Sequence, residues 1–285
     1  MKKKISIIIP TKNGQNTIQA CLESIFSQSI INNCEVIIID SGSEDKTLEI
    51  AKNFPVKIYQ IKPEEFGHGR TRNLGVNLSQ GEFVFFTVQD ARLENNKVLE
   101  ALLTHFKNSD IKAVGGIQIV PHEKDKNPIQ WFRPIHKPNV KILEPDTFFY
   151  LSNKEKYYYA RLDDVVAMYR KEALIKLPFD DVEYGEDLLW ANKALAKGWK
   201  IVIDPKIRTY HYHHYTIKHL KHRVQQERKL ASLFGIKYKH FTWKKIYELF
   251  KIFYLVLFKK DFVPDRKIYW LLYNIKLWIW KKIPY

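Results

Sequence analysis

The chain has 285 residues, 45% hydrophobic and 27% charged, which supplies a full apolar core and excludes a disordered or low-complexity protein. Its net charge of +16 implies an anionic partner: nucleic acid, an acidic membrane or a phosphate-bearing substrate. Its two cysteines, Cys21 and Cys34, have no CxxC or metal-type spacing, which excludes a disulfide scaffold and fits a reducing compartment.

The charge is unevenly spread. From Lys218 onward, 17 Lys and Arg face 4 Asp and Glu, so +13 of the +16 lies in the last quarter. That shift places an expected boundary between a catalytic domain, 1–216, and a basic tail, 217–285. The apolar stretch Ile5 to Ile9 is too short for a signal-peptide core and ends in Pro10.

Taken in order, Ile5 to Ile9 predicts a first strand, stopped by Pro10, with Thr11-Lys12-Asn13-Gly14 as the loop at its carboxyl end. Ile18, Leu22, Ile25 and Phe26 recur at helical spacing over 15–28. Glu35 to Ile39 predicts a second strand ending in Asp40-Ser41-Gly42-Ser43, then a helix to about 53 and a third strand over 56–60. Strand, helix, strand, helix, strand is the pattern of a parallel sheet wound with helices. Asp40 therefore sits at a strand mouth, where an acid accepts hydrogen bonds from a ligand or folds its own turn with Ser41 and Gly42. No GxGxxG or GxxxxGK[ST] is present, which excludes a dinucleotide fingerprint and a Walker loop.

A helix is expected from near Gly69 to about Ser79, with Arg70 and Arg72 in its first turn. Cations there oppose the helix dipole, and a bound diphosphate would offset that cost. Phe83 to Thr87 predicts a strand buried on both faces, ending in Gln89-Asp90. Asp90 then lies at the mouth of a ligand crevice or caps the next helix. Helix over 95–107 and strand over 112–120 follow. The prolines and aromatics of 121–160 suit a variable acceptor-side segment in which Trp131 could stack on a sugar or fill the core. Glu186 and Asp187 open a helix, where the dipole is expected to lower their pKa values. Lys200 to Asp204 is a further strand, and His211 and His213 share a face if the segment after it is extended.

In the tail, 217–234 reads as a basic amphipathic helix. The aromatic-apolar runs 246–258 and 268–279 are short and interrupted by Lys251 or Lys276. Lysines flank both, which suits helices lying in an anionic membrane interface; a helical hairpin packed on the catalytic domain is the alternative.

The strings IIPTKNG, VIIIDSGSEDKT, GRTRNLG, GEFVFFTVQDA and YGEDLLWA, in this order, resemble the family 2 glycosyltransferases of the GT-A fold. FGHGRTRNLG, TVQDA and HYHHYT resemble its bacterial rhamnosyltransferase-like branch, and the likeness covers roughly residues 4–220. It implies a mostly parallel α/β sheet flanked by helices. It implies an inverting enzyme that moves a sugar, dTDP-rhamnose being the favoured donor, to a cell-surface glycan or lipid-linked acceptor. Pro10 and Thr11 would lie beside the nucleotide, Asp40 would bind the base, and Arg70, Arg72 and Gln89 would belong to the donor site. Asp90 would match the last acid of the family's DXD motif and hold Mg²⁺ or Mn²⁺ on the donor diphosphate, although Val88-Gln89-Asp90 has one carboxylate where the family often has two. His211, with His213 as second choice, would complete that site. Asp187 would be the general base. The chain would then work peripherally on the cytoplasmic face of the inner or plasma membrane. Nucleic acid is not an expected partner, because no RRM, KH or zinc-finger pattern accompanies the charge. A nucleic-acid-binding protein or a catalytically inactive membrane-bound relative remains the alternative.

Overall fold

A computed structural model describes residues 4–121, 123, 125–127, 140–212, 217–236, 243–258 and 265–282. Trp131, His213 and His214 lie outside the described residues. The chain divides into two compact units: 1–118 with 136–211, and 119–135 with 212–285.

The first unit is built on a sheet whose strands are β1 (Ile5–Thr11), β2 (Cys34–Asp40), β3 (Lys57–Gln60), β4 (Phe83–Phe86), β5 (Ala91–Leu93), β6 (Ile111–Ile119), β7 (Lys141–Leu143), β8 (Ala167–Arg170) and β9 (Lys200–His211). The order is β3-β2-β1-β4-β8-β6-β9-β5, with β7 also on β9. β1 pairs in parallel with β2 and β4, and β2 with β3. The pairs β4–β8, β6–β8, β5–β9 and β7–β9 are antiparallel. The expected mostly parallel sheet is thus corrected to a mixed one. The βα rhythm that signals parallel pairing holds only through β4, and the pairs β4–β8, β6–β8, β5–β9 and β7–β9 made by later strands are antiparallel.

β1 has its successor β2 on one side and β4 on the other, so the winding reverses between β1 and β4. Open α/β sheets bind ligands outside the carboxyl ends of the strands at such a point. β1 runs two residues past the expected stop. The β1–β4 ladder ends at Ile8–Phe86, so Pro10 lies where no N–H is required of it.

Alternation along β1 covers both faces of the sheet. Ile5, Ile7 and Ile9 join Ile18, Cys21, Leu22 and Ile25 of helix α1 (Ile18–Phe26) in one core cluster. Ile8 points the other way. After α2 (Thr47–Ala51), helix α3 (His68–Leu78) lies on that second face. A Cβ on Gly75 of α3 would stand 2.6 Å from Ile8 Cγ2, so the missing side chain is what lets the helix seat on the sheet. This seating buries Thr71, Arg72 and Val76. The remaining helices of this unit are α4 (Val98–Thr104), α5 (Pro145–Phe149), α6 (Asn153–Tyr159), α7 (Lys171–Lys176) and α8 (Glu186–Ala196). Phe86, Tyr169, Phe179 and Trp190 pack edge to face beneath α8, at centroid distances of 4.8–5.7 Å.

The second unit contains α9 (Ile217–Leu233), α10 (Trp243–Phe258) and α11 (Lys267–Lys282). Leu220, Val256, Trp270 and Tyr273 form its core. Asn127 and Asn274, both buried, exchange amide hydrogen bonds at 3.0 Å in each direction. No helix among the described residues is long and apolar enough to cross a membrane.

Overfilling the α3–sheet contact should cost stability. Gly75→Ala is expected to lower unfolding free energy by about 1–3 kcal/mol, read from urea denaturation. An unchanged midpoint would mean that α3 is free to lift from Ile8.

Candidate active site

The loops that follow β1 and β2 are knitted together. Asn13 N–H donates to Ser43 Oγ at 2.8 Å, Glu44 N–H to Asn13 Oδ1 at 2.9 Å, and Gly14 N–H to Thr47 Oγ1 at 2.6 Å. Thr11, buried beside half-buried Pro10, faces Asp40 across the β1–β2 ladder. Asp40 itself is 0% exposed. One of its oxygens accepts the Gly42 and Ser43 N–H groups at 3.1 and 3.0 Å, and the other accepts the Ser43 hydroxyl. Asp40 therefore shapes its own loop, because a short acid at that position reaches the next two amides.

Gln89 also differs from expectation. Its Oε1 accepts Lys12 N–H at 2.9 Å and its Nε2 donates to Lys12 O at 2.8 Å. Both ends of the amide are spent clamping the β4 loop to the β1 loop across the switch point.

Arg72 corrects the expectation most. It is 5% exposed, and its guanidinium meets carboxylates, not solvent. Nε lies 2.9 Å from Asp164 Oδ2, and Nη1 lies 2.8 Å from Glu186 Oε1 and donates to His68 O at 3.1 Å. Asp164 Oδ1 also accepts the Tyr169 hydroxyl at 2.5 Å. Arg72 is thus the counter-charge of an acid cluster on the second face of the sheet. Burial opposes its charge, but Glu186, Asp164 and Asp187 hold its pKa above the ordinary arginine value. Arg70, two residues earlier on the helix, points outward with its side chain 53% exposed and pairs with Asp181 at 3.3 Å. It alone of the two arginines stays accessible to an anion.

Asp187 belongs to this cluster. Gly185 takes a left-handed φ of 85° and turns the chain into α8, so that Glu186 points to Arg72. Asp187, half-buried, accepts Leu188 N–H at 2.7 Å and Asp164 N–H at 3.3 Å. Burial, and then the Glu186, Asp164 and Asp163 charges, push its carboxyl well above the ordinary range, against the pull of Arg72. This reverses the expected lowering: the helix dipole is one partial charge, whereas Asp187 faces several whole ones. Burial likewise pushes Asp164 up to about 7 despite Arg72.

Asp90 and His211 come together. β5 and β9 pair with Ala91 opposite His211, which sets Asp90 Oδ2 3.4 Å from His211 Nε2. His211 Nδ1 lies 2.7 Å from Gln118 Oε1, and Gln118 Nε2 donates to Asp163 Oδ2. Asp163 precedes Asp164, whose N–H reaches Asp187. Asp90 and Asp187 are therefore the ends of one continuous polar chain. Burial, with the nearby Asp90 charge second, pushes the Cys21 thiol up and leaves it unreactive.

Sequence reasoning missed Gln118, Asp163, Asp164 and Glu186 as site residues. The signal was the adjacent pair of acids Asp163-Asp164; Gln118 carries none, since a lone glutamine in a strand is uninformative until its partners are known.

The family model for glycosyl transferase family 2 matches residues 6–177. The chain belongs to this family. Its α/β architecture is accordingly the GT-A fold of a nucleotide-sugar glycosyltransferase. It is 31% identical over 220 residues to the O-antigen chain rhamnosyltransferase RfbN of Salmonella typhimurium strain LT2, covering 75% of this chain and 68% of RfbN. It is 32% identical over 218 residues to the O-antigen chain rhamnosyltransferase WbaN of Salmonella anatum, covering 74% of this chain and 67% of that protein. Two solved glycosyltransferases show the fold at lower identity. A mannosyltransferase from Pyrobaculum calidifontis in complex with GDP-Man and Mn²⁺ superposes with a TM-score of 0.59 at 18% identity, over 97% of this chain and 74% of that one. S. aureus TarS 1–349 in complex with UDP-GlcNAc gives 0.56 at 19% identity, over 78% of this chain. The glycosyltransferase spans 66% of that TarS chain.

The donor set of Asp90 and His211 fits a divalent cation shared with a substrate. Two ligands about 2.1 Å from one octahedral ion stand about 3 Å apart, near the 3.4 Å seen here. Among the described residues no group of three His, Cys, Asp or Glu is arranged to hold a metal ion, so the remaining positions of the coordination sphere would fall to diphosphate oxygens and water.

Removing the Arg72 charge should be costly. Arg72→Leu strands three acids, and a loss of about 3–5 kcal/mol is expected. A carboxyl whose folded pKa is raised binds its proton more tightly when folded, so its contribution is intact below the unfolded value of 3.8 and is lost as pH rises through about 7. The Arg72→Leu penalty should therefore be larger at pH 8 than at pH 5, compared by urea denaturation at both; an equal penalty would mean that the cluster takes up no proton.

Proposed function

We propose that the chain is an inverting glycosyltransferase that transfers rhamnose from dTDP-rhamnose to a cell-surface glycan or lipid-linked acceptor. The donor reading rests on the two rhamnosyltransferases it resembles over two thirds or more of their lengths. The mechanistic reading rests on one observation: Asp90 with His211 and Asp187 with its acid cluster occupy opposite ends of a single polar chain.

Asp187 is the base. An acceptor hydroxyl loses its proton to Asp187 as its oxygen attacks the anomeric carbon, and the bond from that carbon to the diphosphate oxygen breaks on the opposite face. The electron pair leaves with the nucleoside diphosphate. The raised pKa of Asp187 makes it a stronger base than an exposed carboxylate, and the positive charge of Arg72 pulls the other way and favours the ionised form that accepts a proton. Asp90 and His211 would hold a Mg²⁺ or Mn²⁺ ion, which when bound supplies positive charge to the departing diphosphate. Arg70, outward in the first turn of α3, adds to that side, while Pro10 and Thr11 border the nucleotide.

We further propose that the second unit lies on an anionic membrane, at the cytoplasmic face of the inner or plasma membrane. Phe250, Tyr254 and Phe258 recur every fourth residue along α10 and are 69%, 62% and 69% exposed. Ile268, Leu272 and Ile279 share a face of α11 and are exposed too. Lys251, Lys267 and Lys276 accompany them, also exposed. Apolar stripes bordered by lysines suit helices lying in the headgroup region.

Asp187→Asn should cut kcat by about 10²–10⁴-fold with dTDP-rhamnose while dTDP affinity stays within about threefold. Equal turnover in both proteins would remove Asp187 from the chemistry, and turnover only with UDP- or GDP-sugars would overturn the donor. For the membrane, sedimentation with vesicles containing phosphatidylserine should exceed that with phosphatidylcholine alone, and Phe250→Ser with Phe258→Ser should weaken it by about tenfold. Indifference to both lipid charge and the double substitution would refute the assignment.

A further inference from the structure

Gln118 stands between the two halves of the site. It lies on β6, half-buried, with Oε1 2.7 Å from His211 Nδ1 and Nε2 on Asp163 Oδ2. Asp163 Oδ1 accepts Val165 N–H at 3.0 Å. Both oxygens of Asp163 are thus acceptors, and an acceptor fixes which end of a neighbouring amide it meets: the Gln118 NH₂ turns to Asp163 and its oxygen turns to His211. An oxygen facing Nδ1 requires a proton on Nδ1. The ring nitrogen left toward Asp90 Oδ2, at 3.4 Å, is Nε2.

We propose that Gln118 is a positioning residue that fixes His211 as its Nδ1–H tautomer and so turns the Nε2 lone pair, beside Asp90, toward a divalent cation carried by the donor diphosphate. The inference rests on the assignment of Asp90 and His211 to the diphosphate side. A histidine that ligates a metal through one nitrogen generally donates the other N–H to an oxygen acceptor, and loss of that acceptor typically lowers metal affinity about 10–100-fold. Gln118 is that acceptor here. It is itself oriented by Asp163, the neighbour of the base-side acid cluster, so the orientation of His211 depends on residues at the other end of the chain.

The test uses the full-length protein labelled with ¹⁵N-histidine. Long-range ¹H–¹⁵N correlations, with the His211 signals assigned by their loss in His211→Asn, report which ring nitrogen carries the proton without metal or nucleotide. The wild type is expected to show Nδ1–H. Gln118→Leu should lose that preference and bind Mn²⁺ in the presence of dTDP about 10–100-fold more weakly, by calorimetry, with circular dichroism unchanged. Gln118→Glu combined with Asp163→Asn exchanges the two polar groups and keeps an acceptor on Nδ1, so it should restore the tautomer and much of the Mn²⁺ affinity. An Nε2–H tautomer in the wild type overturns the proposal, as does unchanged Mn²⁺ affinity in a folded Gln118→Leu protein or no Mn²⁺ binding by the wild type. Absence of rhamnosyl transfer, with the expected tautomer and Mn²⁺ response, would instead count against the donor assignment alone.

Discussion

One guanidinium organises the site. Arg72 is buried between Asp164 and Glu186, with Asp187 close behind. Three acids around one cation leave an excess of negative charge in a region of low dielectric, where unpaired charge is expensive. The excess is met by raised carboxyl pKa values. The same pairings hold α3, the segment before β8 and the first turn of α8 in register.

The second constraint is the reversal of winding between β1 and β4. There the β1 and β4 loops meet, and Gln89 joins them by binding both the N–H and the carbonyl of Lys12. Asp90, the next residue, is thereby held at the strand mouth, and the short β5 hands it to His211 across the β5–β9 ladder. Three of the residues that motif likeness assigned to the donor, Asp40, Gln89 and Arg72, spend their polar groups within the protein, on the β2 loop, on Lys12 and on the acid cluster.

The two units differ in character. The first contains the polar chain from Asp90 to Asp187. The second carries most of the excess positive charge and exposes aromatic stripes on helices too short to span a bilayer. Its buried Asn127–Asn274 amide pair ties a short segment from mid-chain to the last helix, so this unit is made of two stretches distant in sequence.

Local pattern determined β1 to β4 and α1, because apolar runs and helical spacing are properties read within about ten residues. It likewise placed Asp90 and Asp187 at element ends. What it could not supply was the direction of the strands after β4, the existence of β5, or the length of β9. Strand pairing there is set by partners far along the chain, as Ala91 with His211 and Phe83 with Arg170 show. Nor could sequence tell that Arg70 faces outward while Arg72, two residues on, is sealed among carboxylates. Helical spacing separates the two by most of half a turn, but only the packing of α3 on Ile8 and Ile39 decides which of them the protein buries. Charge, pattern and motif order are written along the chain; burial, and with it every pKa that the chemistry uses, exists only once the chain has closed on itself.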